Sequence, residues 1–331
     1  MQEIWYGDRT PGLLLRAMER VYGQLAARRQ QQRQPAPDLR DQPIVVVGNL
    51  TAGGTGKTPL TIRLCQLARQ VGLQMAVISR GYGRSGSGPI TVNADSEVSS
   101  SGDEPLLIAR QAGVNVFVDS DREAAARRAL ASGAELIIAD DGLQRRSLPR
   151  QLELCVLDGA RGFGNERLLP AGPLREPLTR LESVDALISN GEWQGGSLPQ
   201  TPVTMSLEPV GWYALGTEEP LRNLELQEQL AGGPVHALAG IGNPQRFFDT
   251  LSALGIEVDH AHAFADHERY EASHFEAMEG ALLMTEKDAM KCEQLTLPPS
   301  YALRVEARLP AAWEQNMSQR LLALSQGRPS L

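Results

Sequence analysis

The sequence predicts an α/β fold: a mostly parallel, doubly wound sheet of the P-loop NTPase type, followed by a second, smaller α/β domain. Three observations carry this. Short β-branched runs alternate with helical stretches from residue 44 to residue 189. The first run opens into a glycine-rich turn followed directly by Lys and Thr, in "VVVGNLTAGGTGKTPL" from Val45 to Leu60. A second strand–turn–helix series starts near Pro202. These shifts divide the chain into residues 1–34, 35–200 and 201–331.

"PGLLLRAMERVYGQLAARRQQQRQ" reads as one amphipathic helix. Leu14, Met18, Val21 and Leu25 form its apolar stripe, flanked by Leu15 and Tyr22. Arg9, Arg16, Arg20, Arg28, Arg29 and Arg33 face a single acid, Glu19, and Trp5 and Tyr6 lie just before. That combination suits a helix lying in a membrane interface, and it equally suits a helix packed on the domain. Gln30 to Gln34, with Pro35 and Pro37, reads as a linker.

Ile44 to Val47 is the first strand, and Leu60 to Val71 carries helical spacing up to the stop at Gly72. Strands follow at Met75–Ser79, Val114–Val118, Glu135–Ala139, Leu152–Leu157 and Asp185–Ser189, with helices at Glu104–Gln111 and Arg122–Leu130. In the second region the strands are Val203–Leu207, Val235–Ala239, Ile256–Phe264, Ala281–Met284 and Tyr301–Val305. A helix spans Pro244–Leu254, and "AAWEQNMSQRLLALSQ" is a closing helix with the first domain within its reach.

Strand, glycine turn, Lys-Thr and helix make a phosphate cradle. The cradle residues are Thr51, Ala52, Gly53, Gly54, Thr55, Gly56, Lys57 and Thr58, with Lys57 reaching the β- and γ-phosphates and the Thr58 hydroxyl on Mg²⁺. Thr51 stands where such loops usually open with Gly. Lysine occurs only at Lys57, Lys287 and Lys291, so its use here suggests a point charge on a phosphate. Asp140 and Asp141 close an apolar run, which makes them candidate Mg²⁺ ligands and, alternatively, a simple strand-ending turn. Arg80 lies at another strand end of the same crevice. "AGIGNP" has no Lys-Thr after it and reads as a plain strand-to-helix turn. His260, His262 and His267 cluster without metal-ligand spacing, and His267 reads as an active-site or loop residue.

A net charge of −8 argues against broad nucleic-acid binding. Cys65, Cys155 and Cys292 form no CxxC and read as reduced, buried thiols. No stretch approaches the roughly 18 apolar residues of a bilayer span, and no signal peptide or obligate protein partner is evident.

In order, "VVVGNLTAGGTGKTP", "SRGYGR", "GDEP", "ADDGLQ", "RGFGN", "LPAGPLRE", "AGIGNP", "FADHERY" and "MTEKDA" resemble the tetraacyldisaccharide 4'-kinase family of lipid A biosynthesis. The resemblance implies two α/β domains joined by a short β-linker, the smaller closing over the active site. It implies ATP with Mg²⁺ as donor and the 4'-hydroxyl of an acylated glucosamine disaccharide 1-phosphate as acceptor. It also implies peripheral attachment, through the N-terminal helix, to the cytoplasmic face of the bacterial inner membrane. Carried over, Lys57 and Thr58 are the P-loop pair and Asp140 and Asp141 the acidic pair. Asp103 of "GDEP" and His267 act together at the acceptor hydroxyl. Arg145 stands where the family often has His. Arg161 and Arg175, with Arg80 and Asn165, are candidates for binding the acceptor and its 1-phosphate.

Three rivals share parts of this pattern. They are a soluble P-loop kinase of a small metabolite, a membrane-associated P-loop ATPase switch, and a zinc hydrolase built on the histidines. A guanine-reading NKxD is absent, which disfavours GTP.

Overall fold

The computed structural model describes residues 1–31, 36–217, 219–266 and 268–327. The expected linker residues 32–35 and His267 lie outside them. The expected N-terminal helix is α2 (Leu13–Gln31), starting just after the Pro11-Gly12 pair, and a short helix α1 (Gln2–Trp5), not expected, precedes it.

Strand β1 (Ile44–Gly48) is wholly buried and leads through the glycine turn into α3 (Lys57–Gln70). The helix starts three residues before the expected Leu60, since Gly56 supplies a left-handed N-cap. After it come β2 (Met75–Ser79), β3 (Ile90–Val92), α4 (Val98–Ser101), α5 (Asp103–Ala112), β4 (Val116–Val118) and α6 (Arg122–Ala131). Strands β5 (Leu136–Asp140), β6 (Leu152–Asp158) and β7 (Ala186–Asn190) complete the first lobe. The edge strand β3 runs antiparallel to β4 and was not expected: three residues among Gly and Pro carry no readable alternation.

Strand β8 (Val203–Ala214) joins the lobes. Val203 to Met205 pair in parallel with β7, and Ser206 onward runs antiparallel to β13 (Ser300–Arg308). The second lobe adds β9 (Pro220–Leu221), α7 (Asn223–Leu230), β10 (Val235–Ala239), α8 (Pro244–Ala253), β11 (His260–Ala263), β12 (Ala281–Thr285), α9 (Glu286–Cys292) and α10 (Ala311–Ser325). Among the described residues the strands run β11-β10-β12-β13-β8-β7-β6-β1-β5-β2-β4-β3, with β9 on β8. The expected strand from Ile256 shortens to His260–Ala263. Gly255 turns the chain out of α8, and Ile256 N–H donates back to Leu251 O at 3.0 Å.

The main core joins β1, α3 and α5 to α10, with Leu60, Leu64, Leu106 and Leu321 fully buried. Removing one such side chain, as in Leu64→Ala, costs about 2–5 kcal/mol. Arg63 Nε and Nη2 tie α3 to Glu314 of α10 at 2.8 and 2.5 Å, so the last helix rests on the first lobe.

Candidate active site

Strands β1, β2, β5 and β6, which run in parallel, lead at their carboxyl ends into the glycine turn, Arg80, Asp140-Asp141 and the loop of Arg161. At the end of β1 the glycine turn is held from behind by its carbonyls. Asn49 Nδ2 donates to Thr51 O at 2.7 Å and to Gly53 O at 3.3 Å. Arg161 Nη2 donates to Gly54 O at 2.9 Å and Asn190 Nδ2 to Thr55 O at 3.1 Å. A peptide N–H points opposite its own carbonyl. The N–H groups of Gly54, Thr55 and Gly56 are therefore directed away from these anchors. Gly56 has φ +98° and a Cβ there would strike the Asn190 amide, so the position requires glycine. The Thr55 hydroxyl is buried without a hydrogen-bond partner among the described residues. Lys57 Nζ donates to Asn49 Oδ1 at 3.2 Å and stands 3.6 Å from Asp141.

Asp140 is the last residue of β5 and is fully buried. Burial, then the charge of Glu104, pushes its carboxyl up to about 7 against the pull of Lys57. Asp141 follows at φ +50°, a strained conformation for a residue with a Cβ. Burial opposes its ionisation, yet Lys57 and Arg175 outweigh burial and hold it well below the usual carboxylate range. Arg175 Nη1 lies 2.9 and 3.0 Å from the two Asp141 oxygens. The Thr58 hydroxyl and these two carboxylates are hard oxygen donors, a set that fits Mg²⁺. Buried Arg122 was missed by the sequence reading. Its Nε has no partner, and its charge acts on both aspartates. Its signal was Asp-Arg one turn past β4, at the same rim.

Asp103 is the first residue of α5, after the Gly102 N-cap. Its Oδ1 accepts from the Glu104 N–H at 2.9 Å, and Oδ2 lies 3.7 Å from Lys287 Nζ of the second lobe. Between the lobes is a cavity of about 520 Å³, lined by the turn from Gly54 to Thr58 and by Glu104, Gly242, Asp266 and Lys287.

Two expectations for the acceptor side meet a different geometry. Arg161 is fully engaged: Nε pairs with Asp158 at 2.8 Å, and its terminal nitrogens reach Gly242 O at 2.7 Å and Gly54 O at 2.9 Å. It bridges the lobes instead of facing a ligand. Asn165 holds the N-terminal segment, its amide donating to Ile4 O at 2.8 Å and Ala171 O at 2.9 Å. Arg80 follows β2 and is exposed. Arg145 is structural here, 3.3 Å from Glu123. His262 stacks on His236 and His260 lies tilted against it, and among the described residues no group of three or more His, Cys, Asp or Glu is placed to hold a metal ion.

Helix α2 packs through its polar side. Glu19 receives Arg167 Nη1 and the Leu168 N–H, both at 3.0 Å, and Tyr22 O–H donates to Arg175 O at 3.1 Å. Its apolar stripe faces out: Leu14 is 75% exposed and Val21 57%. Among the described residues no helix is long and apolar enough to cross a membrane.

The family model "LpxK: Tetraacyldisaccharide-1-P 4'-kinase" matches residues 12–322. The chain belongs to this family. A tetraacyldisaccharide 4'-kinase from Pseudomonas aeruginosa (strain LESB58) is 44% identical over 331 residues, covering 96% of this chain and 97% of that one. Another, from Xanthomonas axonopodis pv. citri, is 43% identical over 98% of this chain and 96% of its own length. The crystal structure of LpxK from Aquifex aeolicus in complex with ATP superposes with a TM-score of 0.72. It is 28% identical and covers 93% of this chain and 97% of that one. The mixed α/β fold with its large, mostly parallel sheet is thus shared with that structure.

Proposed function

We propose that the chain transfers the γ-phosphoryl group of ATP to the 4'-hydroxyl of a tetraacyldisaccharide 1-phosphate, giving lipid IVA, at the cytoplasmic face of the inner membrane. One observation carries the reading. A phosphate-type glycine turn, Glu104 and Lys287 line one cleft, with the buried Asp103 carboxylate just behind Lys287 at 3.7 Å, while the apolar stripe of α2 is turned outward beside the loop that bears Arg175.

The turn N–H groups and Lys57 bind and orient the triphosphate tail. Thr58, Asp140 and Asp141 would hold Mg²⁺, which would supply charge neutralisation on the phosphate oxygens. Asp103 takes the proton of the 4'-hydroxyl as its oxygen bonds to the γ-phosphorus. The bond from that phosphorus to the β-bridging oxygen breaks, and ADP leaves. A positioned base of this kind supplies about 10²–10⁴ in rate. His267 is assigned to Asp103 as its partner and Arg80 to the acceptor phosphate; Arg175 would reach that phosphate by turning from its pair with Asp141. The stripe Leu14, Met18, Val21 and Leu25 lies in the membrane interface with arginines around it.

Labelled ATP, Mg²⁺ and the acylated disaccharide 1-phosphate in mixed micelles test this. Labelled bis-phosphorylated lipid is expected, with a loss of about 10²-fold or more in Asp103→Ala. Phosphate release without labelled lipid would leave an ATPase switch as the better account. Leu14→Asp with Val21→Asp should weaken binding to vesicles containing anionic lipid. Unchanged binding would remove α2 as the membrane contact.

A further inference from the structure

The motif MTEKDA, from Met284 to Ala289, has no part in the account so far. It contains one of the three lysines of a chain that otherwise relies on arginine. β12 ends at Thr285 and α9 begins at Glu286, so Lys287 emerges at the rim where the second lobe faces α5. The next residue locks the segment. Asp288 is fully buried and accepts from Tyr270 O–H at 2.7 Å, Thr285 O–H at 2.7 Å, Gly240 N–H at 3.1 Å and Lys291 Nζ at 3.0 Å. A backbone clamped this way fixes where the Lys287 stem starts.

The Lys287 ammonium then meets three carboxylates. It is 3.0 Å from Glu104 Oε1, 3.0 Å from Asp266 Oδ1 and 3.7 Å from Asp103 Oδ2. Asp103 and Glu104 belong to the first lobe and Asp266 to the second. Burial alone would favour loss of its proton, but the three acids outweigh burial and keep Lys287 charged. Among the described residues the charged groups near Asp103 include its neighbour Glu104 on α5 and Lys287 on α9, which also holds Asp266. Glu286 is turned aside onto Arg304 at 2.6 Å. Without the ammonium, Asp103 would share its surroundings with two like charges, and protonation would be favoured.

We propose that Lys287 is a positioning residue for the transfer: it docks the second lobe on α5 and keeps Asp103 ionised and aimed. Because Lys287 comes from the second lobe, Asp103 becomes competent as the lobes come together. The proposal rests on the reading of Asp103 as proton acceptor. Tyr270 and Asp288 support it from behind.

The test is Lys287→Met in the full chain, assayed with labelled ATP and the acylated disaccharide 1-phosphate. The turnover number should fall roughly 10–100-fold while KM for ATP changes by less than about threefold. The acidic limb of kcat/KM should move up by about one pH unit, because the lost cation raises the pKa of Asp103. Lys287→Arg should leave the limb in place. In Lys287→Cys, aminoethylation rebuilds an ammonium and should restore both rate and limb. The native cysteines are buried with thiols pushed up to about 12, so they stay unmodified. A Met variant with wild-type turnover and limb overturns the proposal. So does a loss that follows the unfolded fraction with the limb unmoved. Should the Met variant not fold, the Arg and aminoethylated proteins decide: a limb displaced in both despite the retained charge overturns it, and a limb kept in both supports it. The functional reading fails separately, if the wild type makes no labelled lipid.

Discussion

β1 and β10 both run into a glycine turn and then a helix, yet the two turns do opposite work. After β1 the carbonyls of Thr51, Gly53, Gly54 and Thr55 are tied back by side chains, and α3 opens with Lys57. After β10 a donor is tied as well as carbonyls: Gly240 N–H is held by Asp288 at 3.1 Å, Gly240 O by Lys291 at 3.3 Å and Gly242 O by Arg161 at 2.7 Å. The helix that follows opens with Pro244, which has no N–H to offer. One turn exposes donors to the cleft, while the other presents a smooth backbone surface. They meet at Gly54 and Gly242, where a Cβ on Gly242 would run into Gly54 N. Two copies of a common supersecondary unit have become a phosphate cradle and its cover. What separates them is the direction of a few peptide groups.

Breaking the cradle should have the largest effect. Lys57→Ala removes the ammonium that stands between Asn49 and Asp141. A loss of about 10²–10³ in kcat/KM is expected, as for one preorganised contact on the transferring group. Retention of more than a tenth of the wild-type rate would mean that the turn works without its lysine. Breaking the cover comes next. Gly242→Val places a branched side chain against Gly54 and the lobes cannot approach as closely. Roughly a 10–100-fold loss follows from misplacement alone. Wild-type kinetics in this variant would show that the contact is incidental. Arg161→Ala sharpens the comparison without adding bulk. It removes the clip from Asp158 to Gly54 O and Gly242 O, so KM for ATP should rise by several-fold, with a smaller change in turnover. A pure turnover defect would contradict a clip that acts on closure.

These contrasts show what could be read in advance. The P-loop was legible because its demands are local: glycines where the backbone turns left-handed, at Gly53 and Gly56, and a lysine at a helix start, within eight residues from Thr51 to Thr58. The acidic pair at the end of β5 was legible for the same reason. The partners that make the site work were not. Asn49 looked like a loop residue, and its role depends on two carbonyls on the far side of the turn. Arg161 looked like a phosphate ligand because its charge is visible in the sequence, whereas the Gly242 carbonyl that engages it is brought near only by β8 and the second lobe. Lys287 was noted as a rare lysine, but its three carboxylates come from two lobes. α2 was undecided between membrane and domain, since amphipathicity alone does not say which face turns inward. Packing through Glu19 and Tyr22 leaves the apolar face outside.

The smallest effect tests the comparison most narrowly. Pro244→Ala returns an N–H to the first turn of α8 and leaves the glycines in place. If the second turn fails as a phosphate site only because one donor is missing, this variant should gain a second nucleotide or inorganic phosphate site, detectable by calorimetry. The geometry predicts otherwise. Gly240 N–H remains tied to Asp288, and no lysine follows the turn. A single restored donor is far short of the nest that a phosphate requires. Binding should therefore stay at one nucleotide per chain, with kcat/KM unchanged within about twofold. Stability should drop only slightly, by about 0.4–1 kcal/mol, because the unfolded chain regains the freedom that proline had removed. A second site, or a tenfold loss of activity, would mean that the cover takes part in binding phosphate and that the division of labour between the two turns is wrong.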